Sequence, residues 1–387
     1  MSDKGEQGAV DADFQNYLKA RDKGLMDLLV HATQKTGRSP VKTQFDFMKL
    51  ARAEGRLNMV EYIRFGLYDP DRFTPEERAR FISNDLNWPI THICNDKSWE
   101  ASAEDKYIAD RLLGMGDVPV PDTVAVIDTG PRLFPGLTRI SNAPELRDFL
   151  LSRPGQRLFG KVNGGMVSFG VFRVEHCDED TLTCTGMEPM SYEAFLSDFV
   201  GTNSYVIQTE LNNHPDIARY CSSLATVRVV NMVRQDDVYC PVAVIKMPQG
   251  GNIADAFWRP GNLACDIDME TGEIRTVALR GTEIEFLDDH PETPGLMGMN
   301  LPFWKELLEI NDRAARIFAP IRFQSTDIAI TENGPVVVEL NYGGGFDLPQ
   351  YASGRGMLTP EVRAFFKDCG YEFTPKKRGL GRLFGRK

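Results

Sequence analysis

Apolar positions follow two rhythms along the chain. Through residues 12–88 they recur every three or four positions, as in FQNYLKARDKGLMDLLVHAT and the shorter FDFMKLARAEG and NMVEYIRFGLY, which predicts amphipathic helices. In RFTPEERARFIS, Thr74 precedes Pro75 at the first helical position, and Glu77 stands where it completes a capping box. Residues 1–94 therefore read as a helical module packed on a larger body. From about residue 95 the texture changes. SAEDKYIADRLLGMG predicts a capped helix, VPVPDTVAVID an extended segment, and LTRISNAPELRDFLLSRPG a second capped helix. RLFGKVNGG, SFGVFRVEH, SYVIQTELN, ATVRVVNMVR and VYCPVAVIKM read as strands, and residues 301–318 as a helix. Helices mixed with largely antiparallel strands predict an α+β fold rather than a doubly wound parallel sheet.

The segment TDIAITENGPVVVELNYGGG (326–345) carries the sharpest pattern. Two strands, 326–331 and 335–341, flank Asn333-Gly334. A three-residue loop, Glu332 to Gly334 with Gly334 at positive φ, pairs Asp327 with Glu339. In that register Ile328, Ile330, Val336, Val338 and Leu340 share one face, and Asp327, Ala329, Val337, Glu339 and Asn341 the other. A slip of one residue destroys the separation. Two adjacent carboxylates repel unless a cation or a proton lies between them. Hard oxygen donors of this kind suit Mg²⁺, which takes one or two carboxylates and completes its shell with water and phosphate. A solvent-facing polar strand explains the spacing equally well. Gly343, Gly344 and Gly345 follow and would let a backbone approach a ligand closely.

Composition narrows the partners. With 387 residues the chain fits two or three subdomains around a shared cleft. A net charge of −11 argues against nucleic acid as the main partner, although an acidic protein can bind anions in a locally basic cleft. No run of about 18 apolar residues suggests a membrane span. The polar N-terminus lacks a signal core, so a cytoplasmic location is expected. The seven cysteines include no CxxC pair, so reduced thiols are expected rather than a zinc site or disulfide framework. His176 beside Cys177 finds nothing nearby to complete a ligand set. The tail PKKRGLGRLFGRK holds six basic residues and no acid. It reads either as a solvated C-terminus or as a surface anchor for anionic lipid or an acidic partner.

The hairpin with its D…ExN pattern resembles the metal-binding end of the ATP-grasp superfamily, and four further segments agree in the same order. AEDKYIADRLLGMGDVPVPDTVAVI resembles that fold's opening lysine, helix, turn and strand, which maps to Lys106. LFGKVNGGMVSFGVFRV resembles its lysine strand and phosphate-covering loop, here Lys161, Gly164, Gly165, Ser168 and Gly170. YVIQTELNNHP resembles the adenine-holding strand and linker, mapping to Gln208, Thr209, Glu210 and Leu211, with His214 just beyond at a ribose or turn position. LATVRVVNMV resembles the strand that supplies a phosphate-binding arginine, here Arg228. IQTELNNHPDIARYCSSLATVRVV is similar to the sugar-transfer-associated ATP-grasp subgroup, related to α-L-glutamate ligase-like proteins.

The resemblance, over roughly residues 95–352, implies two α+β subdomains, 95–205 and 206–352, gripping ATP between antiparallel sheets. A C-terminal helix and basic tail follow at 353–387. It implies ATP and Mg²⁺ as cofactors. Lys106, Lys161 and Arg228 would hold phosphates, with Lys161 and Arg228 serving catalysis. Asp327, Glu339 and Asn341 would hold the metal. Two lysines and an arginine can neutralise a triphosphate. Taken alone, Lys106 also reads as a surface lysine, Arg228 as half of a structural ion pair, and Gln208 with Glu210 as a solvated strand edge. A buried Lys161 before Gly-Gly needs an anion. The loop Tyr342 to Asp347 should border an acceptor pocket, and Arg259 with segment 250–261 is expected to face substrate. The implied reaction joins a carboxylate to an amine through an acyl phosphate, in a glycan or cell-surface context. A kinase acting on a small-molecule hydroxyl and a non-catalytic nucleotide-binding scaffold are the alternatives. Serine-nucleophile chemistry is not supported, because G-x-S-x-G is absent and the five histidines are scattered.

Overall fold

A computed structural model describes residues 8–21, 24–165, 168–221 and 223–376. The strands gather into two seven-stranded sheets. The first contains β1 (Thr123–Ile127), β2 (Thr138–Ile140), β3 (Leu158–Val162), β4 (Phe172–Cys177), β5 (Thr181–Cys184), β6 (Met190–Ser191) and β7 (Tyr205–Thr209). Its order is β2-β1-β7-β3-β4-β5-β6. The second contains β8 (Thr226–Val233), β9 (Val238–Met247), β10 (Leu263–Ile267), β11 (Val277–Arg280), β12 (Ile284–Leu287), β13 (Phe323–Thr331) and β14 (Gly334–Asn341). Its order is β12-β11-β10-β9-β8-β13-β14. The β1–β2 pair is parallel and the other paired strands are antiparallel, so the fold is α+β as expected. The expected boundary at 205/206 is corrected: it cuts β7, which pairs with both β1 and β3, and the chain leaves the first sheet only after Thr209.

The helical module is not a separate body. Leu28, Tyr62, Ile63 and Phe81 share one buried core with Val230, Met232 and Phe323 of the second sheet and with Phe366 of the C-terminal helix Pro360–Asp368. Gly55 and Gly356 allow this docking. A β-carbon on Gly55 would come within 1.9 Å of the Phe81 carbonyl oxygen, and one on Gly356 within 2.2 Å of the Arg80 backbone. No other residue lets chains pass this closely. The Thr74–Glu77 capping box forms, although its helix runs only over Pro75–Arg78. The opposite face of the second sheet is covered by Trp304–Ile317 and by Lys106–Met115, whose Ala109 and Leu113 pack with Leu307 and Ala314.

The β13–β14 hairpin reaches its expected pairing by an unexpected route. Thr331 pairs with Gly334, so the turn is the two residues Glu332-Asn333, not a three-residue loop. Gly334 does adopt positive φ, at 112°. The register then shifts between Asp327 and Ile328, leaving Val338 as an extra residue on β14. That bulge sets Asp327 opposite Glu339. It also changes the face assignment: Val337, expected beside the carboxylates, joins Ile328, Ile330 and Leu340 in the apolar core, while Val338 lines the cleft.

Among the described residues no helix is long and apolar enough to cross a membrane. All seven cysteines are free. The basic tail from residue 377 onward lies outside the described residues.

Candidate active site

A cleft of about 710 Å³ opens between the two sheets. Alternation along β8 and β9 directs Arg228 and Lys246 into it, among apolar neighbours that turn to the cores. Arg228 Nε donates to Asp327 Oδ1 at 2.9 Å and its terminal nitrogen to Oδ2 at 2.6 Å, a bidentate fork. Lys246 Nζ bridges Asp327 Oδ1 at 3.2 Å and Asp255 Oδ2 at 3.0 Å. The Thr226 hydroxyl donates to Asp255 as well. Across the hairpin, Lys106 Nζ lies 2.8 Å from Glu339 Oε1 and donates to the Gly165 carbonyl at 2.7 Å. The mutual repulsion of Asp327 and Glu339 is thus relieved by side-chain cations. Burial alone would raise both carboxyls. Arg228 and Lys246 outweigh it at Asp327, and Lys106 at Glu339, so each is held below the usual carboxylate range. Burial likewise works against the charge of Arg228, but Asp327 more than offsets it and holds the guanidinium above its ordinary value.

Lys161, on β3, is the least neutralised of these cations. Its Nζ donates to the Val338 carbonyl at 3.0 Å, the group the bulge turns towards the cleft. Burial pushes its ammonium down, with Asp110 partly restoring the charge. Arg228, Lys246, Lys106 and Lys161 from four segments meet in the cleft with Asp327, Asp255, Glu339 and Glu104, and Asp110 acts on Lys161 from behind.

Lys106 is placed by its own helix start. Asp105 caps the helix by accepting from Ile108 N at 3.0 Å. Asn163, in the loop after β3, donates to Asp105 at 2.9 Å and accepts from Tyr107 N at 3.0 Å. Gln208, Thr209, Glu210 and Leu211 all line the cleft, but their side chains are engaged. Gln208 donates to Asp110 at 3.1 Å and Thr123 at 2.9 Å. Thr209 accepts from Gln156 at 3.0 Å. Glu210 is clamped between Arg157 and Arg173, each at 2.7 Å. Ser168 also lines the cleft, at φ 56°.

Several expected residues, Gly164, Gly170, His214 and Arg259 among them, lie outside the lining. The Nδ1 of His214 accepts from Asp216 N at 3.2 Å, capping Pro215–Ala218, and its ring packs edge-on against Phe303. Arg259 also lies outside the lining, although 253–258 belong to it. Its guanidinium donates to Asp13 at 3.0 Å and to the Ser168 carbonyl at 3.1 Å, fastening the first helix to the loop after β3. Tyr342, Gly343, Gly345 and Asp347 line the cleft. Gly344 serves packing instead, since a β-carbon there would meet the Phe323 ring at 2.3 Å. Lys246 was missed by the sequence reading, and Asp255 lies within the segment 250–261 expected to face substrate. The signal for Lys246 was present, a single charge inside the apolar run VYCPVAVIKM.

Asp327, Glu339 and Asn341 converge on the cleft. Glu339 keeps 27% of its side chain exposed, and Asn341 turns its amide nitrogen towards Asp327 at 3.4 Å. These oxygens fit a hard divalent cation. Asp327, with both oxygens accepting from Arg228, would have to divide its carboxylate between that arginine and any metal.

Two mostly antiparallel sheets thus share one cleft lined by charged side chains of both signs. The chain belongs to the sugar-transfer associated ATP-grasp family, whose model matches residues 87–365. Among solved structures it is similar to the ATP-grasp ligase PsnB complexed with minimal precursor, at 15% identity over 72% of this chain and 63% of that one, TM-score 0.36. It is also similar to the VanG D-Ala:D-Ser ligase from Enterococcus faecalis, at 14% identity over 72% and 61%, TM-score 0.39. A third is the biotin carboxylase-beta-gamma-ATP complex from Campylobacter jejuni, at 11% identity over 73% and 50%, TM-score 0.41. The chain spans between half and two thirds of the length of these three. No curated protein matches the sequence.

Proposed function

We propose that this chain is an ATP- and Mg²⁺-dependent ligase that joins a carboxylate to an amine with release of ADP and phosphate. The observation that carries the reading is the convergence of Lys106, Lys161, Arg228 and Lys246 on the Asp327–Glu339 pair in a single cleft. In a family defined by ATP-grasp, four basic groups from four segments suit a triphosphate. Lys106 and Lys161 would turn from Glu339 and the Val338 carbonyl to phosphate oxygens. Arg228 stays anchored by Asp327 and presents a fixed positive charge where charge develops on the transferred phosphoryl group. Mg²⁺, held by Glu339 and Asn341 with Asp327 behind them, would supply charge neutralisation when bound with the nucleotide. The protein's part is to position the reactants, exclude water and hold charge, with no covalent intermediate on a side chain. The family's sugar-transfer association supports a glycan-linked substrate.

Calorimetric titration with a non-hydrolysable ATP analogue, with and without Mg²⁺, tests the site. Mg²⁺-dependent binding that Glu339→Ala removes is expected. Absence of nucleotide binding under every condition would overturn the reading. Hydroxylamine trapping of an acyl phosphate then separates a ligase from a kinase acting on a hydroxyl.

A further inference from the structure

The far end of the cleft is built by the helical module and holds two cations that the chemistry above does not use. Arg64, at the end of the helix Met59–Arg64, is 4% exposed and lines the cleft. Its nearest polar contact is a long one, to the Tyr351 hydroxyl at 3.5 Å, and its guanidinium lies 5.8 Å from that ring's centre. Its Nε is buried without a hydrogen-bond partner. Arg280, at the end of β11, lines the same wall. Among the described residues neither arginine lies within ion-pair distance of a carboxylate. Asp347 acts on Arg280 only from a distance, and its Oδ1 accepts from Leu348 N at 2.8 Å. Glu61, on the same helix as Arg64, spends its oxygens on the Asn58 and Asn84 amides at 3.0 and 2.7 Å. Burial, and after it the charge of Arg64, push Arg280 below the usual guanidinium range.

Burying a cation without a counterion is costly, and buried arginines are ordinarily paired. Two guanidiniums that repel each other and face one cavity are placed for an incoming oxyanion, which their planar forks match in geometry. We propose that Arg64 and Arg280 form an oxyanion subsite that holds a carboxylate or phosphate group on the molecule bound opposite the nucleotide. The substrate is therefore anionic, and the helical module contributes directly to its recognition. Tyr351 forms the floor of this subsite, with Phe257 packed 6.2 Å from it. This assignment rests on the ligase reading for the identity of the opposite ligand.

The test titrates inorganic phosphate and, separately, glutarate into the full chain saturated with Mg²⁺ and the ATP analogue. One anion site is expected, weakened by about tenfold or more in both Arg64→Gln and Arg280→Gln. Tighter phosphate binding identifies a phosphorylated substrate, and tighter glutarate binding a carboxylate. Binding of the analogue reports that each variant is folded, and Arg280→Gln decides the matter if Arg64→Gln does not fold. No anion binding to the loaded wild type, or variants that bind like wild type, would overturn the subsite. If the nucleotide analogue itself fails to bind, the ligase reading falls alone. The same anion titrations on nucleotide-free wild type and variants then decide the subsite.

Discussion

The two ends of the cleft treat buried charge in opposite ways. At the hairpin end the two cleft carboxylates of the hairpin each meet a cation: Asp327 meets Arg228 and Lys246, and Glu339 meets Lys106. At the module end Arg64 and Glu61 sit three residues apart on one short helix without pairing, and Arg280 stands alone among the described residues. A paired buried charge is positioned in advance and costs little further to hold in place. An unpaired one carries a free-energy penalty that a ligand of opposite charge can relieve. The difference teaches which charges belong to the framework and which are waiting for a partner.

Breaking the paired end should have the largest effect. Asp327→Ala leaves Arg228 and Lys246 facing each other without their shared carboxylate. A loss of roughly 3–5 kcal/mol in denaturant unfolding is expected, together with loss of nucleotide turnover. A loss below about 1 kcal/mol would show that the pairing is not structural. The next effect concerns Glu61, which burial raises to about 7 despite the backbone amides it accepts from. A carboxyl raised on folding favours the native state below its unfolded value and loses that advantage as pH climbs through the folded value. Between about pH 4.5 and pH 8 this amounts to roughly 3 kcal/mol. Glu61→Gln can keep the capping box with Asn58 and removes the titration. Its melting temperature should exceed wild type at pH 8, and the gap should close towards pH 5. Parallel curves would mean that Glu61 is not the group responsible.

Much of this contrast was legible in the sequence, but unevenly. The D…ExN spacing, the lone lysine before Gly-Gly and the lone arginine in an apolar strand all pointed to the hairpin end, because a charge within an alternating pattern is conspicuous. The pairing of Asp327 with Glu339 was also legible, though its cause was not: a bulge at Val338 depends on β14's partner strand and on the loop geometry together. The strands β10 to β12 went unread because ACDID, TVALR and EIEFL mix charge with short apolar runs. The module end was invisible. Arg64 and Arg280 are 216 positions apart, and no local pattern reports that two distant cations share a wall. His214 failed for the opposite reason, since a histidine before proline fits a helix cap as well as a ligand position.

Smaller effects sharpen the contrast within each end. Lys161→Met removes a buried ammonium whose one acceptor among the described residues is the Val338 carbonyl. Stability should hold or rise slightly, while affinity for the nucleotide analogue falls by about 1.5–3 kcal/mol, the worth of a charge-assisted hydrogen bond. Equal losses in stability and binding would place Lys161 with the framework. Arg64→Met is the mildest and the most diagnostic. A methionine fills much of the same volume against Tyr351 and removes a charge that no carboxylate among the described residues pairs with. If that charge is held for a ligand, the ligand-free variant should gain on the order of 1 kcal/mol, because only the desolvation penalty is lost. A loss of similar size would instead show that the guanidinium's contact with Tyr351 is a structural strut. The sign of this small change, read beside the large loss at Asp327, separates the charges that hold the fold from the one that awaits substrate.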